Sequence, residues 1–188
     1  EIIVEVFDVL ILGVELSMAL AGFAGIIATF QFRDTEKIRR ADVVGLNIIV
    51  VYSLLAALQC GVILILNLIG ISEAALWTTG SILSMSCMGY NLYAFSKNMK
   101  GAVRNRKLIA TMWALQWVSV IVFAVNVLNA LDIVFHRTPG PFLVGLAWGL
   151  GLAGWMFIRL LLLPIWRTIY KQEAREKTIM EDGLGSQV

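Results

Sequence analysis

A single histidine, His136, and two cysteines, Cys60 and Cys87, are all the imidazole and thiolate metal ligands this sequence offers. They do not have the spacing of a zinc site, and one histidine cannot make a bis-histidine haem. Both cysteines sit inside apolar runs and read as small buried hydrophobes, with no metal role. Charge is scarce too: 15% of residues are Asp, Glu, Lys or Arg, against about 25% in a soluble domain. The long uncharged windows contain no lysine, so a retinal Schiff base has no attachment point. They contain one acid, Glu15, which cannot serve as the paired aspartates of an intramembrane protease. A Gly-x-Ser-x-Gly elbow and a phosphate-binding glycine loop are also missing. These absences point away from an enzyme, and no cofactor, metal or nucleic-acid partner is expected.

What is present is hydrocarbon. Hydrophobic residues make up 59% of the 188, and the mean hydropathy is +0.82. Five windows are nearly free of charge: 9–30, 43–72, 74–96, 108–131 and 138–158. Each exceeds the ~20 residues a helix needs to cross a ~30 Å hydrocarbon core. Backbone groups in lipid must bond within their own segment, which selects helices. The expected fold is all-α: a polytopic integral membrane bundle of five transmembrane helices, about 8–31, 44–70, 74–96, 108–135 and 141–166. These make one domain, 1–166, followed by a cytoplasmic tail, 167–188. The third window is the weakest, being rich in Ser, Thr and Gly.

Charge placement sets the expected topology. The connection after the first window carries Arg33, Lys37, Arg39 and Arg40; the one after the third carries Lys97, Lys100, Arg104, Arg106 and Lys107. Basic loops stay on the inner side. Both fall there only if all five windows cross, with the N-terminus outside and the C-terminus inside. Arg39, Arg40, Arg104, Arg106 and Lys107 are candidates for anionic lipid headgroups. "HRTPGP" reads as a tight outer turn, and Pro164 as a kink or end of the fifth helix. Trp77, Phe135 and Phe142 would form the outer aromatic belt, with Tyr93, Trp113, Trp166 and Tyr170 on the inner side. Trp117, Trp148 and Trp155 lie deeper, as core or subunit contacts.

The helix faces carry what chemistry there is. Asp8, Glu15, Gly22 and Thr29 recur every seven residues, with Gly25 nearby. An ionisable group about 10 Å deep costs roughly 2.5–3.5 kcal/mol and marks an ion path or proton relay. Glu15 is therefore expected to turn toward protein or water. The glycines beyond it would let a neighbouring helix approach. The third helix presents Gly80, Ser84, Cys87 and Asn91, which places it at the bundle centre. The second presents Ser53, Cys60 and Asn67; the fourth, Gln116, Ser119, Asn126 and Asn129. Gly145, Gly149 and Ala153 make a small-residue face on the fifth, for a helix of this chain or of another subunit. Asp8, Glu73 and Asp132 project near the outer surface, with Asn67, Asn126 and Asn129 close by; with Glu15 they read either as a set of unrelated interfacial acids or as an acidic vestibule for cations. Arg159, near the inner side, is too far from Glu15 to pair with it.

The string "ELSMALAGFAGI", Glu15 to Ile26, resembles the E-x-x-x-x-LAGF-x-G first helix of small uncharacterised bacterial multispan proteins. The resemblance covers about a dozen residues and implies a bacterial inner membrane, and no activity. The expected function is an ion-conducting or small-solute pathway formed by a homo-oligomer. Its candidate residues are Glu15, Asp8, Asn67, Ser84, Asn91, Asn126, Asn129 and Asp132; helix packing falls to Gly22, Gly25, Gly80, Gly145 and Gly149. The alternative is a non-catalytic scaffold subunit of a larger membrane complex.

Overall fold

The computed structural model describes residues 2–31, 40–99 and 106–185. All regular structure among them is helical: α1 (Ile2–Gln31), α2 (Arg40–Leu68), α3 (Glu73–Met99), α4 (Arg106–Ala130) and α5 (Pro139–Gly185). Four of the five are long and apolar enough to cross a membrane, over Glu5–Phe30, Gly45–Leu68, Trp113–Ala130 and Pro139–Leu162. α3 is not among the four, because Ser, Thr, Gly and Asn dilute its apolar residues.

α5 is the hub. It touches the other four helices, whereas α1 packs along α2 and α5 and, among the described residues, meets α3 at one end through Phe7 and Trp77. α3, expected at the centre, instead leaves Ile82, Ser86, Tyr90 and Tyr93 exposed along one face. The core has two parts. Near one end, Leu10, Cys60, Ile63, Leu76, Trp77, Phe142 and Leu146 pack together, and nearer the other Ala24, Ile49 and Leu160 do. Trp77 and Phe142 are thus core residues and not belt residues. Trp77 lies between Phe7 and Phe142, with ring centroids 6.3 and 6.4 Å away, separations at which aromatic pairs add to simple burial. Trp117 and Trp155 are exposed on this chain.

Two described connections, 69–72 and 131–138, close the helices by one device. At the end of α2, the Gly70 amide donates to the Asn67 carbonyl (3.0 Å) and the Ile71 amide to the Leu66 carbonyl (3.2 Å). At the end of α4, the Asp132 amide donates to the Asn129 carbonyl (3.2 Å) and the Ile133 amide to the Leu128 carbonyl (3.0 Å). Both are Schellman caps, whose turn residue must be left-handed: φ is +80° at Gly70 and +59° at Asp132. The cap stops α4 at Ala130, short of the expected 135. Two further left-handed residues, His136 and Arg137, carry the chain to Thr138, after which Pro139 takes the first position of α5. α5 then runs through Pro164 without stopping, to Gly185.

The two caps separate backbone strain from packing. A side chain at Gly70 would meet nothing within 4 Å, so Gly70→Ala is expected to cost about 1 kcal/mol from the left-handed backbone alone. Denaturant titration of the variant in bicelles measures it, and an unchanged midpoint would remove the strain argument.

Candidate functional site

The predicted site residues fall into two separate places. Inside the bundle, polar side chains of α2, α3, α4 and α5 form a seam. Its outer end is Asn129, fully buried. The Asn129 Nδ2 donates to Ser81 Oγ (2.8 Å) and to the Thr138 carbonyl (3.1 Å), while its Oδ1 accepts from the Thr138 amide (3.1 Å). One amide thereby ties α3, α4 and the start of α5. One turn deeper, Asn126 Nδ2 donates to the carbonyls of Val122 and Pro141, both at 3.0 Å. Ser84 lies beside it on α3, against Gly145 of α5. Ser81 and Ser84 thus meet Asn129 and Asn126 in one antiparallel register. Further along, Gln59 Nε2 donates to Cys87 Sγ (3.0 Å) and Trp148 Nε1 to Ser119 Oγ (2.9 Å).

Glycines decide how close these helices come. A Cβ on Gly145 would overlap Ser84 Oγ; one on Gly80 would stand 3.1 Å from the Phe142 ring and 3.3 Å from Ile63. Gly149 is looser, with Tyr52 at 3.9 Å. On α1 the close contact is at Gly13, against Cys60 Sγ (3.1 Å) and Leu146 (3.4 Å). Gly22 and Gly25 meet nothing within 4 Å, so any packing there comes from outside this chain. Among the described residues, five buried polar atoms have no hydrogen-bond partner: Ser53 Oγ, Gln59 Oε1, Ser84 Oγ, Gln116 Nε2 and Asn126 Oδ1. Each such atom in a dry interior costs about 1–3 kcal/mol.

The acids lie elsewhere. Asp8, Glu15, Gly22 and Thr29 do share a face of α1, as their spacing requires, but that face is exposed. The expectation that Glu15 turns into the bundle is not met within this chain: α1 buries Leu10, Gly13, Ser17 and Ala24, and Glu15 lies on the other side. Asn67 is exposed at the end of α2 and Glu73 at the start of α3; Asn91 is half-buried. Asp132 is on the surface, 3.6 Å from His136 Nδ1 and 3.7 Å from Arg137 Nε. Both pairs are solvent-screened, hence worth little. The eight residues expected along one path therefore split, with Ser84, Asn126 and Asn129 inside, Asn91 half-buried, and Asp8, Glu15, Asn67 and Asp132 outside. Arg159 is exposed and adjoins Leu160, which packs with Ala24. Ala24 is nine residues beyond Glu15, roughly 13 Å along α1, which places the two charges at different depths. Arg39 and Arg104 lie outside the described residues. Arg40, Arg106 and Lys107 stand in the first turns of α2 and α4.

Ser81, Thr138 and Gly13 carry contacts that the spacing arguments did not single out. Ser81 had a signal available: it is three residues before Ser84, as Asn126 is three before Asn129. No known family, no curated protein and no solved structure matches this chain.

Proposed function

We propose that this chain is a subunit of a homo-oligomeric membrane protein that conducts a cation or small polar solute between its copies and not through any single chain. The carrying observation is the exposed face of α1. Asp8 and Glu15 stand on it within a span whose other charged residue is Glu5, at its start, and a carboxyl facing acyl chains costs roughly 2.5–3.5 kcal/mol. A neighbouring subunit with water or a polar group there relieves that cost. All five helices span in this reading. α3 packs lengthwise beside apolar helices, from Gly80 against Ile63 to Gly89 near Phe123, and five crossings put both basic connections on one side of the membrane. That side is the cytoplasm, and the first-helix resemblance favours a bacterial inner membrane. Proteoliposomes test the function: the wild-type chain is expected to pass protons or monovalent cations faster than empty liposomes. Glu15→Gln should cut that rate several-fold while leaving the fold intact. Wild-type flux equal to that of empty liposomes would end the proposal.

The second reading, a scaffold subunit, is favoured by Asn129, whose amide is spent on structural bonds to Ser81 and Thr138. In that reading the seam holds the bundle together, and the α1 face receives a foreign helix.

A further inference from the structure

Glu15 and Tyr90 stand on opposite flanks of the chain at nearly one depth. Among the described residues α1 and α3 do not pack along their lengths and meet at one end, through Phe7 and Trp77; α1 turns its Gly13 face to α2 and α5, and Glu15 and Tyr90 stand on the exposed outer faces of the two helices. Packed pairs give the depths. Gly13 backs onto Cys60 and Ala24 clusters with Ile49, an antiparallel register that levels Glu15 with Leu58. Gln59 bonds to Cys87, which levels Leu58 with the turn Ser86–Met88 of α3. Helical side chains lean toward their own N-terminus, and the Tyr90 phenol is thereby carried back one turn, to the height of Ser86.

The two flanks are complementary in chemistry. Tyr90 is 63% exposed and presents a phenolic donor; Glu15 is exposed and presents acceptor oxygens. Ser86, its exposed neighbour, already donates to the Ile82 carbonyl (2.8 Å), so Tyr90 is the donor left for a partner. Gly22 and Gly25, about two and about three turns beyond Glu15, carry no side chain and have open space before them, which admits an incoming helix closely. Two complementary patches on opposite flanks form a heterologous contact, and such a contact repeats around a closed ring.

We infer that α1 of each copy seats against α3 of the next, with the Tyr90 phenol donating a hydrogen bond to the neighbouring Glu15 carboxyl, and that the copies close into a ring. This rests on the homo-oligomer reading above and supplies the contact it lacks. The ring puts the acid at the junction between chains, beside the Tyr90 and Tyr93 face of the next copy.

Oxidative cross-linking of the full chain in native membrane vesicles tests the contact, in a Cys60→Ala, Cys87→Ser background. Glu15→Cys with Tyr90→Cys in one chain is expected to give a ladder of dimers, trimers and higher species with copper phenanthroline. Each single cysteine should leave monomers, and the two single-cysteine chains co-expressed should give dimers only. Glu15→Cys cross-linking by itself, with the double variant stopping at dimers, would overturn the inference in favour of a symmetric α1 pair. The homo-oligomer would then stand. Absence of the ladder with a nanodisc mass of several chains would likewise remove only this contact; a nanodisc mass of one chain would remove the oligomer as well. Cross-linking to a foreign protein would count against both. Tyr90→Phe on the native chain covers a background that fails to fold. Its nanodisc mass distribution should shift toward single chains on dilution with lipid, and a distribution identical to wild type would overturn the hydrogen bond.

Discussion

Gly145→Ala is expected to destabilise the bundle by about 2 kcal/mol, within the range for overpacking a tight core. The added methyl would overlap Ser84 Oγ and stand 3.2 Å from Ser84 Cβ and 3.3 Å from Asn126 Nδ2. Neither neighbour can yield easily. Asn126 is held by two carbonyls at 3.0 Å, and Ser84 is 1% exposed. Removing the obstruction should therefore remove the penalty. Ser84→Gly combined with Gly145→Ala is expected to lose less than the two single variants added together, with a coupling of about 1 kcal/mol or more. Ser84→Ala should relieve the clash in part, since it deletes the hydroxyl and keeps Cβ. Gly154→Ala is the control: nothing lies within 4 Å of a Cβ there, so helix propensity alone should apply, and that favours alanine. Denaturant titrations in bicelles give each of these values, that of Ser84→Gly alone included. Additive effects at positions 84 and 145 would show that α3 and α5 do not approach as described.

Asn129→Leu is expected to cost about 2 kcal/mol or more. The change keeps side-chain bulk but deletes three hydrogen bonds, two of them to the Thr138 backbone. Interhelical bonds in membrane proteins average about 0.6 kcal/mol and reach about 1.7, and Ser81 Oγ, buried on α3, would be left without its partner. Asn129→Asp should be worse still. A carboxylate cannot donate to the Thr138 carbonyl, and it sets two acceptors facing one another. The local readout is protease sensitivity of the 131–138 connection, which Asn129 holds by both edges of its amide. Cleavage there should rise with either variant, ahead of global unfolding. Equal cleavage in wild type and variants would show that the Schellman cap and Pro139 fix the turn unaided.

The helices were legible in the sequence because hydrocarbon excludes other regular structure from long uncharged runs. Four apolar windows became four apolar helices, and the Ser-, Thr- and Gly-rich third window became α3. The seam was largely legible as well. Ser84, Asn126 and Asn129 were singled out by spacing, and they are buried. Which face of α1 turns inward was not legible. Asp8, Glu15 and Gly22 share a face by periodicity, but periodicity gives the angle between residues and not the side from which the bundle approaches. The deciding residue was Gly13, whose missing side chain lets Cys60 and Leu146 close in and so turns Glu15 outward. Trp77 and Phe142 misled for a related reason. Both lie near helix ends, where belts form, yet both pack inward, with Trp77 between Phe7 and Phe142. The end of α4 was hidden too, because Asp132 gives no glycine signal for a left-handed cap.

The bond between Ser81 and Asn129 spans 48 residues of sequence, and that separation is also an interval of time. At ribosomal speeds of about 5–20 residues per second, the hydroxyl on α3 is made roughly 2–10 s before the amide that satisfies it. α2 can enter lipid as soon as it emerges, since it is apolar throughout its span. α3 has no such independence. It is not among the four apolar spans, and its Ser81 hydroxyl gains its partner only once α4 has been made.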